Sequence, residues 1–129
     1  MNLETTSVFK NLKSGSDSLV ELDDDKLTNL KKVILEIATD VIDVCEENNV
    51  SYHLTGGSAL GAVRHHGFIP WDDDMDIDME RKDVSKFISA FTNKYGNKYW
   101  IHSDESDEKF CIPFIQIRKK GTVCRGILD

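Results

Sequence analysis

Cysteine is scarce and poorly spaced for chemistry. Cys45, Cys111 and Cys124 are odd in number, form no CxxC pair and match no zinc-site spacing. They are expected to be reduced, partly buried thiols. Long apolar runs are missing too: none approaches the roughly 20 residues needed to span a bilayer. Met1-Asn2-Leu3-Glu4-Thr5-Thr6 lacks the basic and apolar regions of a signal peptide. The expected location is cytoplasmic, or peripheral at the inner face of the membrane. Positive charge is in deficit, with 16 Lys and Arg against 23 Asp and Glu and a formal net charge of −7. That argues against a sequence-independent grip on nucleic acid, which needs a basic footprint. It leaves room for an anionic small substrate, because a bound divalent cation reverses the local field. There is no internal repeat and no long low-complexity segment. What remains is 129 residues, 40% hydrophobic and 30% charged. That is the composition of one soluble domain with a single modest core.

Residues 1–22 are polar and weakly periodic and are expected to form a poorly packed arm, leaving 23–129 as the core. After Asp23-Asp24-Asp25, Leu27, Leu30, Val33, Ile34, Ile37, Ala38, Val41, Ile42 and Cys45 recur at helical spacing. The aspartates suit a helix start and Asn48-Asn49 its exit. Val50–Leu54 reads as a short strand, broken by Gly56-Gly57-Ser58. A short helix is expected over Ser58–His65, then a connector through Gly67 and Pro70. Met75, Ile77 and Met79 alternate with Asp74, Asp76 and Asp78, the period of a strand. Residues 83–91 read as an amphipathic helix, 98–103 and 111–118 as two strands, and Gly121–Cys124 as a returning hairpin partner. Helices alternating with strands argue for an α/β or α+β sheet domain, and α+β is the class expected here.

The chemistry concentrates in Asp72-Asp73-Asp74-Met75-Asp76-Ile77-Asp78. If the stretch is extended, Asp72, Asp74, Asp76 and Asp78 share a face. Asp73 then points away, toward a neighbouring Lys or Arg. Crowded carboxylates repel and need protonation, basic neighbours, solvent or a divalent cation. An all-oxygen set suits Mg²⁺ or Mn²⁺ rather than zinc. The run lacks the sixth-position glycine and twelfth-position glutamate of an EF-hand. Taken alone it also reads as a solvated acidic edge. The glycine turn adds a second element, since glycines let backbone N–H groups approach a phosphate and a helix N-terminus favours its charge. Ser58 either donates to a phosphate oxygen or caps the helix. Phosphate on one element and metal on the next is what phosphoryl or nucleotidyl transfer requires.

Residues 54–81 carry the glycine turn, then Arg64-His65-His66-Gly67-Phe68-Ile69-Pro70-Trp71, then the acidic run. This stretch resembles the signature of the LicD family, the phosphocholine transferases and their relatives, including the fukutin-related proteins. Ile117-Arg118-Lys119-Lys120-Gly121-Thr122 resembles a later family segment, and weaker resemblance runs from about residue 30 to 124. The resemblance implies a nucleotidyltransferase-like mixed sheet with helices packed on it. It also implies metal-dependent transfer of a phospho-alcohol, typically phosphocholine from CDP-choline, to a sugar hydroxyl. The acceptor would be a surface glycan such as lipopolysaccharide or teichoic acid, or a lipid-linked sugar.

Carried over by position, Asp74 and Asp76 are the metal-binding pair, with Mg²⁺ or Mn²⁺ as cofactor and Asp72 as a supporting catalytic carboxylate. Gly56, Gly57 and Ser58 cradle the donor phosphates, and Arg64 reaches an anionic group. Trp71 is expected to pack under the loop, with Trp71 and Tyr52 as secondary candidates for a choline cage. His65 and His66 are expected to be structural or hydrogen-bonding, and Arg118 is either a surface residue or a phosphate contact. Enzymes of this fold place a third carboxylate on a following strand, in an Ile-Asp-Ile-Phe-Pro-like family segment. The sequence reaches Gly126-Ile127-Leu128-Asp129 about where that segment begins. The expectation is therefore the N-terminal portion of the family's domain, truncated. Its alternative function is a non-catalytic nucleotide- or metal-binding module that needs a partner segment.

Overall fold

The computed structural model describes residues 23–122. The expected arm over 1–22, Val123 and Cys124 of the hairpin partner, and Asp129 lie outside the described residues. The apolar period that begins at Leu27 becomes helix α1, Asp24–Glu47. Asp23 caps it, its carboxylate accepting the Lys26 N–H at 2.8 Å, which satisfies a donor that has no partner within the helix. Asn49 takes a left-handed φ of 52° just past the end, and the Val50 N–H returns to the Cys45 carbonyl at 2.8 Å. The chain is thereby turned into strand β1, Tyr52–Leu54.

Helix α2, Gly56–His65, follows directly, and starts at the glycines rather than at Ser58. Strand β2 is short, Ile77–Met79. Helix α3 spans Arg81–Tyr95, strand β3 Tyr99–His102 and strand β4 Gln116–Lys119. The strand expected over 111–118 thus begins only at Gln116. The expected α+β class holds, helices packing with strands, though the mixed sheet that the resemblance implies is here two antiparallel pairs among the described residues, β1 with β2 and β3 with β4. Two-stranded pairs are marginal alone and need a packed face. They obtain it from α1 and α3. Val41, Val44, Cys45, Val50, Phe87, Phe91 and Tyr99 form the buried core, and Ile77, Met79 and Ile117 pack on its margin. The apolar side of the β2 alternation, Ile77 and Met79, thus faces the core. Cys45 is fully buried, and burial, then the Glu46 charge, pushes its thiol pKa up. Cys111 is exposed, unlike the partly buried thiol expected.

One face of α1 carries Glu36, Asp40, Asp43 and Glu47, spaced three or four residues apart and so aligned along the helix. Lys98 meets Glu36 at 2.7 Å and Asp40 at 2.8 Å, Lys94 meets Asp43 and Glu47 at 2.7 Å, and Lys119 meets Glu36 at 2.6 Å. The Tyr99 and Tyr95 hydroxyls donate to Asp40 at 2.5 Å and Asp43 at 2.7 Å. Hydrogen bonds from Lys119 and Lys98 hold Glu36 down at about 2. Desolvation raises Asp40, but Lys98 and Tyr99 more than offset it, and Asp43 is lowered by Lys94 and Tyr95. Tyr99 is pushed up to about 12 by burial and by its bond to Asp40.

These carboxylates are depressed in the folded state, so their stabilisation is complete above the unfolded values. It is lost as pH falls through the folded ones. For Glu36 that window runs from its ordinary 4.5 down to about 2. The melting temperature is therefore expected to fall as pH drops from about 4.5 toward about 2, by a modest amount because solvent screens these half-exposed pairs. Glu36→Gln should flatten that slope. Circular dichroism melts across the range test this, and equal slopes for the two proteins would rule it out.

Candidate active site

Strands β1 and β2 pair Tyr52 with Met79, His53 with Asp78 and Leu54 with Ile77. Past the last pair the ladder continues through one residue. The Asp76 carbonyl accepts the Thr55 N–H at 3.2 Å, and the Asp76 N–H donates to Ser58 Oγ at 2.8 Å. Asp76 is thus held by its backbone against the start of α2. Buried Ser58 does not cap that helix, whose cap position is Thr55. It accepts from Asp76, and its own hydroxyl proton is not consumed by that bond.

The two glycines have a definite purpose here. A Cβ on Gly57 would fall 2.7 Å from Asp72 Oδ2, and one on Gly56 would fall 3.1 Å from Asp76 Oδ2. Gly56 also holds a φ of 51°, which a side chain would strain. The glycines admit the two carboxylates to the first turn of α2. Thr55 contributes no side-chain cap there, and that turn's positive end favours negative charge. Gly61 completes the arrangement, since a Cβ on it would lie 2.6 Å from the Gly67 carbonyl oxygen and 3.0 Å from the Ile69 nitrogen. Its absence lets the connector fold back across α2 and return Asp72 to Gly57.

The acidic run does not alternate throughout. The Asp72 N–H bonds to the Ile69 carbonyl at 3.0 Å, and the paired strand begins only at Ile77. Asp72, Asp73 and Asp74 each place one carboxylate oxygen within 4.8 Å of the others. Asp73, expected to point away, is therefore part of the cluster, because a turn rather than a strand sets its direction. Asp76 stands beside the group, and Asp78, in β2 opposite His53, is outside it. Loss of water first, then the charges of Asp76, Asp72 and Asp73, hold the Asp74 carboxyl above its ordinary range. Asp74 is where the run's mutual repulsion accumulates. Hard oxygen donors in this crowding fit a divalent cation such as Mg²⁺ or Mn²⁺.

Other expected residues lie elsewhere. Arg64 sits in the last turn of α2 and donates through Nε to His65 Nε2 at 2.9 Å. From Gly57 to Arg64 the helix rises roughly 10 Å at 1.5 Å per residue, which puts Arg64 at the end opposite the glycines. His66 ends the helix with a left-handed φ of 55°, so both histidines have structural places. Trp71 does not pack under the loop, being 74% exposed next to Asp72. Tyr52 is claimed by the core margin. Arg118 is on the second sheet, donating to Gln116 Oε1 at 2.6 Å. The reading from sequence missed Asp73 and the part played by Gly61. The turn-forming Gly67 and Pro70 before the run were the available signal for the first.

Comparison with known proteins adds what geometry alone does not. The family model described as LicD/FKTN/FKRP, nucleotidyltransferase domain, matches residues 49–119. A 47-residue stretch is 49% identical to the lipopolysaccharide cholinephosphotransferase LicD of Haemophilus influenzae, covering 36% of this chain and 18% of that protein. A 53-residue stretch is 45% identical to the ribitol 5-phosphate transferase FKRP of Homo sapiens, covering 41% of this chain and 11% of that protein. An uncharacterised Rickettsia typhi protein is 39% identical over 54 residues, 42% of this chain and 18% of its own length. The matched stretches thus span less than a fifth of these relatives. No solved structure matches. The family match covers more than half of the chain, including β1, α2 and the acidic run, so this protein belongs to the LicD/FKTN/FKRP nucleotidyltransferase-domain family.

Proposed function

We propose that this domain serves phosphate-group transfer, moving a phospho-alcohol from a CDP-alcohol, CDP-choline first among them, to a sugar hydroxyl of a glycan or lipid-linked acceptor. The two named relatives, a cholinephosphotransferase and a ribitol 5-phosphate transferase, support the reaction class and differ in the alcohol. The observation that carries the reading is the convergence of Asp72, Asp73 and Asp74 within 4.8 Å of one another, with Asp72 and Asp76 admitted to the first turn of α2 by Gly57 and Gly56. Asp74 and Asp72 are the residues best placed to hold Mg²⁺ or Mn²⁺, with Asp76 alongside. Such a cation, when bound, neutralises donor phosphate charge and stabilises the departing nucleotide monophosphate.

The chain's own residues do the rest. The acceptor hydroxyl oxygen attacks the phosphorus bearing the alcohol and releases its proton to solvent, the new P–O bond forms, and the bond from that phosphorus to the bridging oxygen breaks as CMP departs. Asp76, pinned by Ser58 and Thr55, keeps the carboxylates and the helix N-terminus in fixed relation, so positioning precedes the reaction. Exposed Trp71 offers an aromatic face beside Asp72 for a cationic alcohol.

A thermal-shift screen of CDP-choline, CDP-ethanolamine and CDP-ribitol, each with Mg²⁺ or Mn²⁺, tests the reading. A ligand at 100 times its Kd stabilises by about 2.7 kcal/mol, several degrees in a domain of this size. One CDP-alcohol is expected to shift the melt only with the cation present. No shift with any nucleotide, with cation binding retained, would favour a metal-binding module over a transferase.

A further inference from the structure

The acidic run is held from a distance by a residue outside the family signature. Lys31, two turns into α1, sends its ammonium to the connector that precedes the run. Its Nζ donates to the Ile69 carbonyl at 3.1 Å and to the Pro70 carbonyl at 2.7 Å. It also lies 5.5 Å from the centre of the Phe68 ring, over its face. Among the described residues, no other side chain of α1 hydrogen-bonds to residues 67–71. The Ile69 carbonyl is shared, since it also accepts the Asp72 N–H at 3.0 Å. One oxygen therefore links the α1 lysine to the first residue of the carboxylate cluster.

We propose that Lys31 is a positioning residue of the candidate active site, fixing the Phe68–Pro70 connector so that Asp72, Asp73 and Asp74 converge. Consecutive carbonyls in a turn have no ladder partners and need donors. An ammonium supplies up to three, and its charge strengthens each bond. Ile69 is buried and Gly61 lets the connector lie on α2, so the connector's inner side is fixed by packing. Lys31 fixes its outer, polar side. Without that donor the connector has no side-chain hydrogen bond from α1 among the described residues, and the direction of Asp72 rests on its own N–H bond and the packing of Ile69.

The inference about cation binding rests on the metal-site reading given above; the inference about the connector does not. The test compares the full chain with Lys31→Met, which keeps the stem and removes the donor, and Lys31→Arg, which restores a donor. Amide hydrogen exchange is read at Asp72–Asp74, and Mn²⁺ affinity by electron paramagnetic resonance. In Lys31→Met, exchange at these amides should rise on the order of 10-fold. Mn²⁺ affinity should drop by about 10-fold, in the range seen when a residue supporting metal ligands is lost. The core amides of α3 should stay unchanged, and Lys31→Arg should recover most of both losses. Unchanged exchange at Asp72–Asp74 in Lys31→Met overturns the proposal. So does faster exchange accompanied by wild-type Mn²⁺ affinity. If the unaltered chain binds no Mn²⁺, the metal-site reading fails, and the exchange comparison alone decides the role of Lys31.

Discussion

Asp74→Asn is expected to lose saturable Mn²⁺ binding, by on the order of 100-fold or more in affinity, and yet to melt higher than the unaltered chain when no cation is added. The two effects have one cause. Desolvation and the charges of Asp76, Asp72 and Asp73 raise the Asp74 carboxyl above its ordinary 3.8. Between that value and the raised one, the folded state holds the proton more tightly than the unfolded state does. Stability then falls as pH rises through that window and stays lowered above it. An amide removes the cost, so the variant gains a few degrees at pH 7. A cation removes the same cost in the unaltered chain by supplying opposite charge, so with millimolar Mn²⁺ the order of the two melts should reverse. Asp78→Asn, outside the oxygen cluster, should change neither quantity. In a form of the protein competent for transfer, Asp74→Asn should cost on the order of 10² to 10³ in rate, since the cation's share of charge stabilisation is several kcal/mol. Isothermal titration and melts with and without Mn²⁺ decide the matter. Mn²⁺ binding by Asp74→Asn equal to that of the unaltered chain would sink the assignment.

Phe91→Ala should leave no cooperative fold at 37 °C. Phe91 is 1% exposed, and its ring lies 5.4 Å from that of Phe87 and 5.6 Å from those of Tyr95 and Tyr99. Truncating a buried phenylalanine costs about 3–5 kcal/mol. A domain holds roughly 5–15 kcal/mol in all, with small ones at the low end. The loss is compounded at its polar border. Tyr95 and Tyr99 lean on Phe91 and donate to Asp43 and Asp40, so the acidic face of α1 loses its alignment with the second sheet. Phe91→Leu keeps most of the volume and should retain a cooperative melt at lower temperature. Circular dichroism on the three proteins is sufficient, and an alanine variant melting within a few degrees of the parent would refute the account.

The helices were legible because their signal is redundant. Nine apolar positions in phase define α1, and losing one would not have hidden it. The candidate site was legible in residue type and only partly in geometry. Alternation of Asp with Met and Ile becomes a paired strand only over Ile77–Met79, with Asp76 joining through its carbonyl, while the Ile69–Asp72 turn sets the start of the run. Local period cannot distinguish the two, since the deciding contacts come from Gly61 and Lys31, which are remote from the run in sequence or on another helix. The glycines were legible as a turn that admits close neighbours; that Asp72 and Asp76 are among those neighbours was not. Arg64, carried over from the resemblance as an anion contact, lies at the far end of the helix from the glycines. The second sheet was legible as strands, but its partners were not, because pairing depends on the long connection through 103–115.

The gathering of Asp72, Asp73, Asp74 and Asp76 at one helix end also sets an order of events. Most carboxylates on the α1 face are matched by lysines; this group has no ion-pair partner among the described residues. A free pyrophosphate approaching it meets repulsion that the half-charge of a helix terminus does not cancel. If the domain carries out the transfer proposed above, the cation would have to arrive before the nucleotide or together with it, and a donor stripped of its metal would act as a poor competitor rather than as a substrate.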